Sequence, residues 1–458
     1  MRLASVLALT VAILLTVARA DAAPCSGRPT DAAGYQGYAY GAAEVKTFDG
    51  PRARVHYALT GSHAPQLATT RGDLVPDSVA LAGDVAERAL SRYAEMGFKT
   101  PPSDGSCTSN GGDAKIDIYL VAFAGADGTT VTESCNGPAC SSFLLVESSF
   151  VGRGYPSTAE GFRTVVAHEL FHAVQNAYDS QLDRFWAEGT AQWAMKTVYP
   201  ELVDFERQLP AFFKDNTRSL DTQPSGVAAG FLYGSAVWPL FLTLRHGPDT
   251  VRLILEKEAD GTKSIAAADS VLAAKGSSIA EDLPLFGAWN AATKTLASPG
   301  GYPDAAKYPG VNTEALADGV TGITSGLPYR VYRGTLDTMS KVSLETDASR
   351  NAGVVVPFEG GKPALGKAAK LPANVQGEVL VVVAGVTTKK TDAPFTLHIG
   401  ASDPESVTPD GGTSSASSGG GGGGCGCVVA RSTSSAGPGA WAALLFCAAF
   451  GIRRRKSA

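Results

Sequence analysis

The residues of this chain that are best able to do chemistry lie in the segment His168-Glu169-Leu170-Phe171-His172. Positions four apart on a helix share one face, so His168 and His172 can present two imidazole nitrogens to one zinc ion. Glu169 then lies where it can act as a general base toward a metal-bound water. The chain has only 6 His among 458 residues, and about 0.003 matches to H-E-x-x-H are expected by chance at this composition. A pair of unrelated surface or core histidines is therefore the weaker interpretation.

The segment around this motif must be helical if the two imidazoles are to meet. Its apolar residues recur at helical spacing, at Phe162, Val165, Val166, Leu170, Val174 and Ala177. This pattern predicts a helix that carries the motif, at the start of a largely helical region over 158–258. A catalytic zinc also needs a third protein ligand and an open position.

Glu188 is the candidate for the third ligand. It stands sixteen residues after His172, in the segment FWAEGTAQW. A second helix is predicted from this segment to about Tyr199, stopping before Pro200. Two antiparallel helices would bring Glu188 back beside the histidines. A solvated charge at a helix start is the alternative, but an acid in an apolar setting needs a partner.

The spacing of the motif excludes one class of zinc peptidases and favours another. The excluded class continues as H-E-x-x-H-x-x-G-x-x-H, whereas Gln175 and Tyr178 hold the last two of those positions here. HELFHAVQ followed by W-x-E-G-T-A-x-W instead resembles the gluzincins, over about residues 160–258. LVPDSVALAGDVAERAL, GFKTPPSD and IDIYLVAF are similar to secreted bacterial metalloproteases of that type. The resemblance implies a zinc peptidase that acts on protein or peptide substrates.

The resemblance also implies a role for each site residue. It makes His168, His172 and Glu188 the ligands of Zn²⁺ and Glu169 the general base. One position departs from the thermolysin-like pattern, in which an Asp four residues after the ligand Glu orients a ligand His. Gln192 stands there instead and carries no charge, which leaves the level of activity open.

Two further residues near the C-terminal end of the helical region could belong to the site. The segment FLYGSAVW resembles the helix that follows the zinc-ligand helix in several gluzincin families. By that resemblance Tyr233 faces the metal and supports the developing oxyanion, with a packed core tyrosine as the even alternative. His246 precedes Gly247-Pro248, which predicts a helix stop and restart. We expect His246 to interact with that helix terminus rather than to bind metal.

The elements on either side of the helical region indicate an α+β fold. Strands are predicted at 54–59, 115–123 and 142–150, and a helix at 77–97. We expect a zincin-like metallopeptidase domain, made of a sheet plus the HExxH helix bundle, followed by a small all-β domain. An edge strand of the sheet would pair with an extended peptide. Either 115–123 or 142–150 could serve.

Composition divides the chain into six segments. These are a signal peptide at 1–23, the zincin-like domain with its N-terminal segment at 24–297, a linker at 298–326, a small β-sandwich-like domain at 327–401, a Ser/Gly-rich linker at 402–424 and a Cys/hydrophobic/Arg sorting-anchor segment at 425–458. Residues 24–74 could be a removable inhibitory segment. We expect them to belong to the fold, because no obvious processing site precedes the next helix.

The two ends predict export and surface attachment. Residues 1–23 have a positive start, an apolar stretch and small-residue cleavage sites, as in a signal peptide. The tail, with Cys425 and Cys427 after polyglycine, a short apolar helix and four cations, resembles the MYXO-CTERM sorting signal. This resemblance implies a processing enzyme as partner at the Cys segment, and membrane contact through the C-terminal helix before processing. A plain single-span anchor is the alternative.

Charge and cysteine content limit the remaining possibilities. The net charge of −5 and the pI near 5.8 argue against a nucleic-acid binder, which normally has a basic face. Cys135 and Cys140 flank a turn sequence and are expected to pair. Cys25 with Cys107 is then the remaining pair in the body. Disulfides agree with an exported protein.

Three functions therefore compete. The first is a surface-anchored zinc metalloendopeptidase. The second is a cell-surface binding or adhesion protein on the same fold with weak or no catalysis, although such a protein would be free to lose Glu169. The third is a zinc hydrolase that acts on a non-peptide amide or ester.

Overall fold

The computed structural model describes residue 25 and residues 27–402. The predicted signal peptide, nearly all of the Ser/Gly-rich linker and the sorting-anchor segment therefore lie outside the described residues. The described part is a mixture of helices and two sheets, which confirms the predicted α+β class.

The first sheet has five strands: β1 (Val45–Asp49), β2 (Ala53–Ala58), β3 (Ile116–Val121), β4 (Gly128–Asn136) and β5 (Ala139–Glu147). Their spatial order is β1-β2-β3-β5-β4. The three central strands β2, β3 and β5 are parallel, and β1 and β4 pair antiparallel at the two edges. β3 is buried along its whole length and β5 everywhere except at Ala139, as expected for inner strands of a sheet that is covered on both faces.

Within the described residues, nine α-helices follow or interrupt these strands: α1 (Asp77–Glu95), α2 (Thr158–Gln175), α3 (Arg184–Val198), α4 (Asp204–Phe213), α5 (Gly230–Gly234), α6 (Val237–His246), α7 (Thr250–Glu258), α8 (Ser264–Ala274) and α9 (Ile279–Ala291). α1 and α2 pack on the sheet through apolar residues such as Val79 and Val166. The hydroxyl of Ser157 caps α2 by accepting a hydrogen bond from the Glu160 amide at 3.2 Å. Capping and burial together fix the helix that carries the HExxH motif.

Strand β4 corrects the prediction of the substrate-binding edge. We expected 115–123 or 142–150 at the edge, but these segments form β3 and much of β5, which lie inside the sheet. β4 is the edge strand beside α2 and was not predicted. Its sequence, GTTVTESCN, lacks regular apolar alternation. Its pairing with β5, and the Cys135–Cys140 disulfide across that hairpin, establish it as a strand.

The second sheet has eight strands: β6 (Thr313–Ala315), β7 (Val320–Thr324), β8 (Tyr329–Thr346), β9 (Asn351–Glu359), β10 (Lys362–Pro363), β11 (Ala369–Lys370), β12 (Ala373–Gly385) and β13 (Ala393–Ala401). β6 and β7 fall inside 298–326, so the prediction of a plain linker there is wrong for its second half. β6 pairs with β8, and β7 pairs with β13. Pairing with distant strands, which local Gly and Pro content does not reveal, determines their conformation.

The two faces of the second sheet pack differently. One face, with Tyr329, Val354 and Val382, belongs to the same core as Phe286 of α9 and the helices before it. The other face encloses a separate core around Tyr332 and other apolar residues. The second sheet therefore shares a core with the helical region while also building one of its own.

The N-terminal segment is tied to the first sheet. β1 and β2 lie within residues 24–74 and are two of its five strands. Both expected disulfides are present, Cys25–Cys107 and Cys135–Cys140. The first of them links the start of the described chain to the loop before β3.

One helical stretch of the described residues, Gly226–His246, is long and apolar enough to cross a membrane. More than half of its most apolar part, 56%, is buried inside the fold. Phe231, Trp238 and Phe241 are core residues. Packing thus accounts for its apolar character, and the span expected near the C-terminus lies outside the described residues.

Candidate metal centre

Helices α2 and α3 bring the three predicted ligands together. His168 and His172 lie one turn apart on α2, and Glu188 lies at the start of α3. The Nε2 atoms of the two histidines are 3.1 Å apart. Glu188 Oε2 is 3.2 Å from Nε2 of His168 and 3.5 Å from Nε2 of His172. Three potential ligand atoms therefore form a nearly equilateral triangle.

The size of this triangle fits a zinc ion. Zinc bonds to imidazole nitrogen and carboxylate oxygen are about 2.0–2.2 Å long, and tetrahedral angles place such ligand atoms about 3.3–3.6 Å from one another. Of the observed separations, 3.5 Å lies within this range, and 3.1 and 3.2 Å lie slightly below it. Three protein ligands would leave the fourth tetrahedral position open, as in catalytic zinc sites.

Two glutamines fix the orientation and tautomer of the histidines. Gln175 donates its amide protons to Ala187 O and Thr190 Oγ1, at 2.8 and 2.7 Å, so its Oε1 must accept from His172 Nδ1 at 2.7 Å. Gln192 Oε1 is likewise 3.2 Å from His168 Nδ1. In the neutral imidazoles this places each proton on Nδ1 and each lone pair on Nε2. Two lone pairs and a carboxylate converging on one point require a cation or a proton between them.

The pKa values of Glu188 and His172 also indicate that the cluster attracts positive charge. Burial alone would raise the pKa of Glu188, but hydrogen bonds and charge from the two histidines lower it well below its usual range. Burial alone would lower the pKa of His172, but its interaction with Glu188 raises it to about 9. The site thus favours positive charge at its centre, which a zinc ion would supply.

Glu169 faces the same cleft from the next position on α2. Thr130 of β4 donates its hydroxyl proton toward Glu169, at 2.9 Å from Oε2 and 2.7 Å from the backbone oxygen. Gly128 lies against the same side chain, and a Cβ at that position would come within 2.5 Å of Val165 and 3.0 Å of Glu169 Cγ. The edge strand therefore positions the carboxylate, and only glycine allows its close approach.

Tyr233 lies beside the cluster at the C-terminal end of α5. Its ring centroid is 5.8 Å from that of His168. Burial and the negative charges of Glu188 and Glu169 raise the pKa of Tyr233 above its ordinary value. The phenol therefore stays protonated at neutral pH and can act as a hydrogen-bond donor. The structure places the Tyr233 ring beside His168, and its role in an oxyanion contact stays a prediction.

The cluster lies at the junction of two cavities of about 460 and 280 Å³. Gly128, Glu169 and Tyr233 line both of them. β4 runs along this cleft, so an extended segment placed in it would lie beside a free sheet edge. A cavity of similar volume, about 470 Å³, lies next to Leu90 and Phe98 and contains none of the cluster residues.

Sequence reasoning placed five residues in this site, and the structure brings all five to one cleft: His168, His172, Glu188, Glu169 and Tyr233. It missed Gln175 and Thr130. The only local signal for Gln175 was its position three residues after His172, one helical turn away. His246 lies elsewhere, with Nε2 2.5 Å from Asp282 of α9.

Glu258 of α7 forms a buried hydrogen bond with Trp186 of α3 and should make the stability of the protein depend on pH. It is 1% exposed and accepts a hydrogen bond from Trp186 Nε1 at 2.9 Å. Burial raises its pKa from 4.5 to about 8. The folded protein then keeps a proton that the unfolded chain releases between these values, so stability falls as pH rises.

Glu258→Gln keeps the acceptor for Trp186 but cannot ionise. The difference in free energy of unfolding between Glu258→Gln and the parent should shift in favour of the variant by about 2–4 kcal/mol as the pH rises from 5 to 8. Urea unfolding across that range measures the difference. Glu256→Gln on the same helix, at a side chain that is 41% exposed, should leave the pH dependence unchanged. If the free energy of unfolding changes with pH in the same way for the parent and Glu258→Gln, then Glu258 is ionised in the folded protein from pH 5 to pH 8.

No protein-family model matches this chain, and no curated protein matches it significantly. The functional inference therefore depends on the residues and geometry of the cleft.

Proposed function

We propose that this protein is a zinc metallopeptidase of the gluzincin type, with a zincin-like arrangement of sheet and helices. The observation that supports this most is the convergence of His168 Nε2, His172 Nε2 and a Glu188 oxygen at zinc spacing, beside the carboxylate of Glu169. Structural zinc sites use four protein ligands, whereas three ligands with an adjacent base are typical of catalytic sites. His168, His172 and Glu188 would hold the zinc.

When bound, zinc supplies Lewis-acid activation of a water molecule and of the scissile carbonyl. Glu169 would accept the proton that the attacking water loses and pass it to the leaving amine nitrogen. Thr130 would hold the carboxylate of Glu169 toward the cleft through its 2.9 Å hydrogen bond. The Tyr233 hydroxyl would donate a hydrogen bond to the oxygen on which negative charge develops.

The substrate class is inferred from the edge strand. β4 has a paired neighbour, β5, on one side only. An extended peptide can add to such an edge through backbone hydrogen bonds, and this aligns it without regard to its side chains. The cleft on both sides of Glu169 leaves room for residues before and after the scissile bond. These features favour an endopeptidase over an enzyme for small esters.

Tyr233→Phe tests the proposed oxyanion contact. Removal of one such donor is expected to lower kcat by about 10²-fold, within the range known for oxyanion-hole donors, and to leave KM nearly unchanged. Steady-state cleavage of a fluorescent peptide separates the two parameters. Tyr155→Phe is a matched control because Tyr155 also lies at the cleft but bonds Asp127 at 3.0 Å. Unaltered kcat in Tyr233→Phe would make Tyr233 a packing residue.

The activity itself is tested with zinc-loaded and chelator-treated protein. We expect cleavage of an unfolded protein substrate only when zinc is bound, and restoration when zinc is added back. A parallel panel of esters and non-peptide amides addresses the third function considered above. Bound zinc without turnover of any substrate would favour a binding or adhesion protein on this fold.

Localisation belongs to the same proposal. We propose export through the N-terminal signal peptide and attachment at the outer surface through the C-terminal sorting segment, processed at its cysteines. Two disulfides in the body support an oxidising destination. A peptidase held at the surface would act on extracellular proteins or peptides.

A further inference from the structure

We infer that Asp204 is a positioning residue that strengthens the zinc ligand His168 through Gln192. This inference rests on the proposed zinc site. It concerns the position at which the sequence departs from the thermolysin-like pattern, where an uncharged Gln192 replaces an aspartate. The structure places a carboxylate one side chain further away.

The contacts form a continuous chain of three side chains. Gln192 Nε2 donates to Asp204 Oδ2 at 2.8 Å. Its other amide atom, Oε1, accepts from His168 Nδ1 at 3.2 Å. Because Asp204 can only accept when ionised, the Gln192 amide cannot be reversed without losing both bonds. Asp204 thus determines which Gln192 atom faces the histidine.

The two hydrogen bonds that connect His168, Gln192 and Asp204 are buried. His168, Gln192 and Asp204 are 7%, 2% and 8% exposed. Hydrogen bonds in such surroundings are screened little by water and polarise one another. Asp204 also has a charged partner, Arg207, at 3.5 Å and with a half-exposed side chain. The shorter contact of Asp204 is therefore the one with Gln192, at 2.8 Å, and that partner is also the more buried one.

The two zinc ligands on α2 are supported differently. The hydrogen bonds behind His172 end at neutral groups, because Gln175 donates to a backbone oxygen and to the Thr190 hydroxyl. The hydrogen bonds behind His168 end at the carboxylate of Asp204. A carboxylate on the outer nitrogen of a ligand histidine raises its basicity and fixes its ring. Gln192 transmits part of this effect by polarisation and by orientation.

The test is Asp204→Asn in the full chain. Asparagine has the same shape but presents either a neutral acceptor or a clashing amide to Gln192. We expect the zinc dissociation constant, measured by competition with a chromogenic chelator, to rise about tenfold, at the lower end of the range for such outer partners. The melting temperature of the zinc-free protein should change little, which separates a positioning role from a structural one.

A double variant that moves the carboxylate from position 204 to position 192 tests whether zinc affinity is restored. In the double variant Gln192→Glu with Asp204→Asn, the carboxylate moves one side chain closer to His168, and the amide behind it can donate in the reverse direction. We expect zinc affinity at least equal to that of the parent. Glu206→Gln on the same helix is the matched control: Glu206 pairs with Lys196 at 2.8 Å and has no contact with Gln192.

The outcomes distinguish this inference from the proposed function. If the parent binds no zinc, the proposed zinc site is wrong and the inference fails with it. If the parent binds zinc and Asp204→Asn binds it equally well, only the inference is overturned. Loss of zinc affinity in Asp204→Asn that the double variant does not restore would also overturn it, because the charge would then have no role.

Discussion

Glu169→Gln is expected to lower peptide cleavage by about 10³-fold while zinc remains bound. General acid–base catalysis contributes about 10²–10⁴-fold, and glutamine keeps the shape of the side chain but cannot accept a proton. None of the three ligand atoms belongs to Glu169. The hydrogen bond from Thr130 can be retained by the amide oxygen, so the local geometry should persist.

The measurement combines kcat/KM on a peptide substrate with zinc content per chain. Glu160→Gln on the same helix makes the same chemical change, but Glu160 lies in the first turn of α2 and outside the cleft. It should leave both values within about twofold, since surface substitutions rarely have larger effects. Cleavage retained in Glu169→Gln would contradict the assignment of the general base. Cleavage lost together with zinc would make Glu169 a determinant of metal binding instead.

The second large effect concerns stability and the N-terminal segment. Arg28 is fully buried, with three carboxylates around its guanidinium group. Nη1 donates to Asp117 at 2.6 Å, and Nη2 donates to Asp104 and Glu133 at 2.5 and 2.8 Å. Asp117 also contacts His56 of β2 at 2.7 Å. This cluster joins the start of the described chain to the first sheet, on the face opposite α1 and α2.

Arg28→Met is expected to destabilise the protein by about 3–5 kcal/mol, because it leaves buried carboxylates without their cation. Burial already raises the pKa of Asp104 to about 6 and that of Glu133 to about 7, although Arg28 opposes the shift. Without Arg28 the folded state will bind protons still more strongly. Since it then holds protons that the unfolded chain releases, the loss of stability should be larger at pH 8 than at pH 5.

Urea unfolding at both pH values, with disulfides intact, measures this effect. Arg71→Met is the matched control, because Arg71 pairs with Asp73 at the surface, where both side chains are over a third exposed. Exposed pairs contribute about 0–1 kcal/mol. A small effect of Arg28→Met would mean that the segment before β1 can detach, as a removable inhibitory segment must. A large effect would place it in the permanent fold.

The central elements of this fold could be predicted because their signals are local. The apolar spacing around His168 predicts α2. The alternation in Ile116–Val121 predicts β3. Four of the five candidate site residues could be proposed because they lie in H-E-x-x-H and in the glutamate-bearing segment of the next helix. Tyr233 lies on α5 and was proposed only from the resemblance of FLYGSAVW.

Other features depend on contacts between distant segments, and no local pattern reveals them. β4 is a strand because β5 lies beside it, and β6 and β7 are strands because they pair with β8 and β13. Asp204 belongs to the site only because the start of α4 packs against Gln192. In the sequence, Gln192 in place of an aspartate left the level of activity open. The structure shows a carboxylate behind it.

Zinc content is the most direct test of the proposed zinc site at His168, His172 and Glu188. We would measure metal per chain by mass spectrometry in the purified parent and in Glu188→Ala, His172→Ala and the control Glu160→Gln, and determine the coordination of the parent by X-ray absorption at the zinc edge. We expect one zinc per chain with two imidazole nitrogens and oxygen ligands, lost in both ligand variants and kept in the control. A parent without zinc, or zinc that survives both ligand substitutions, would contradict it.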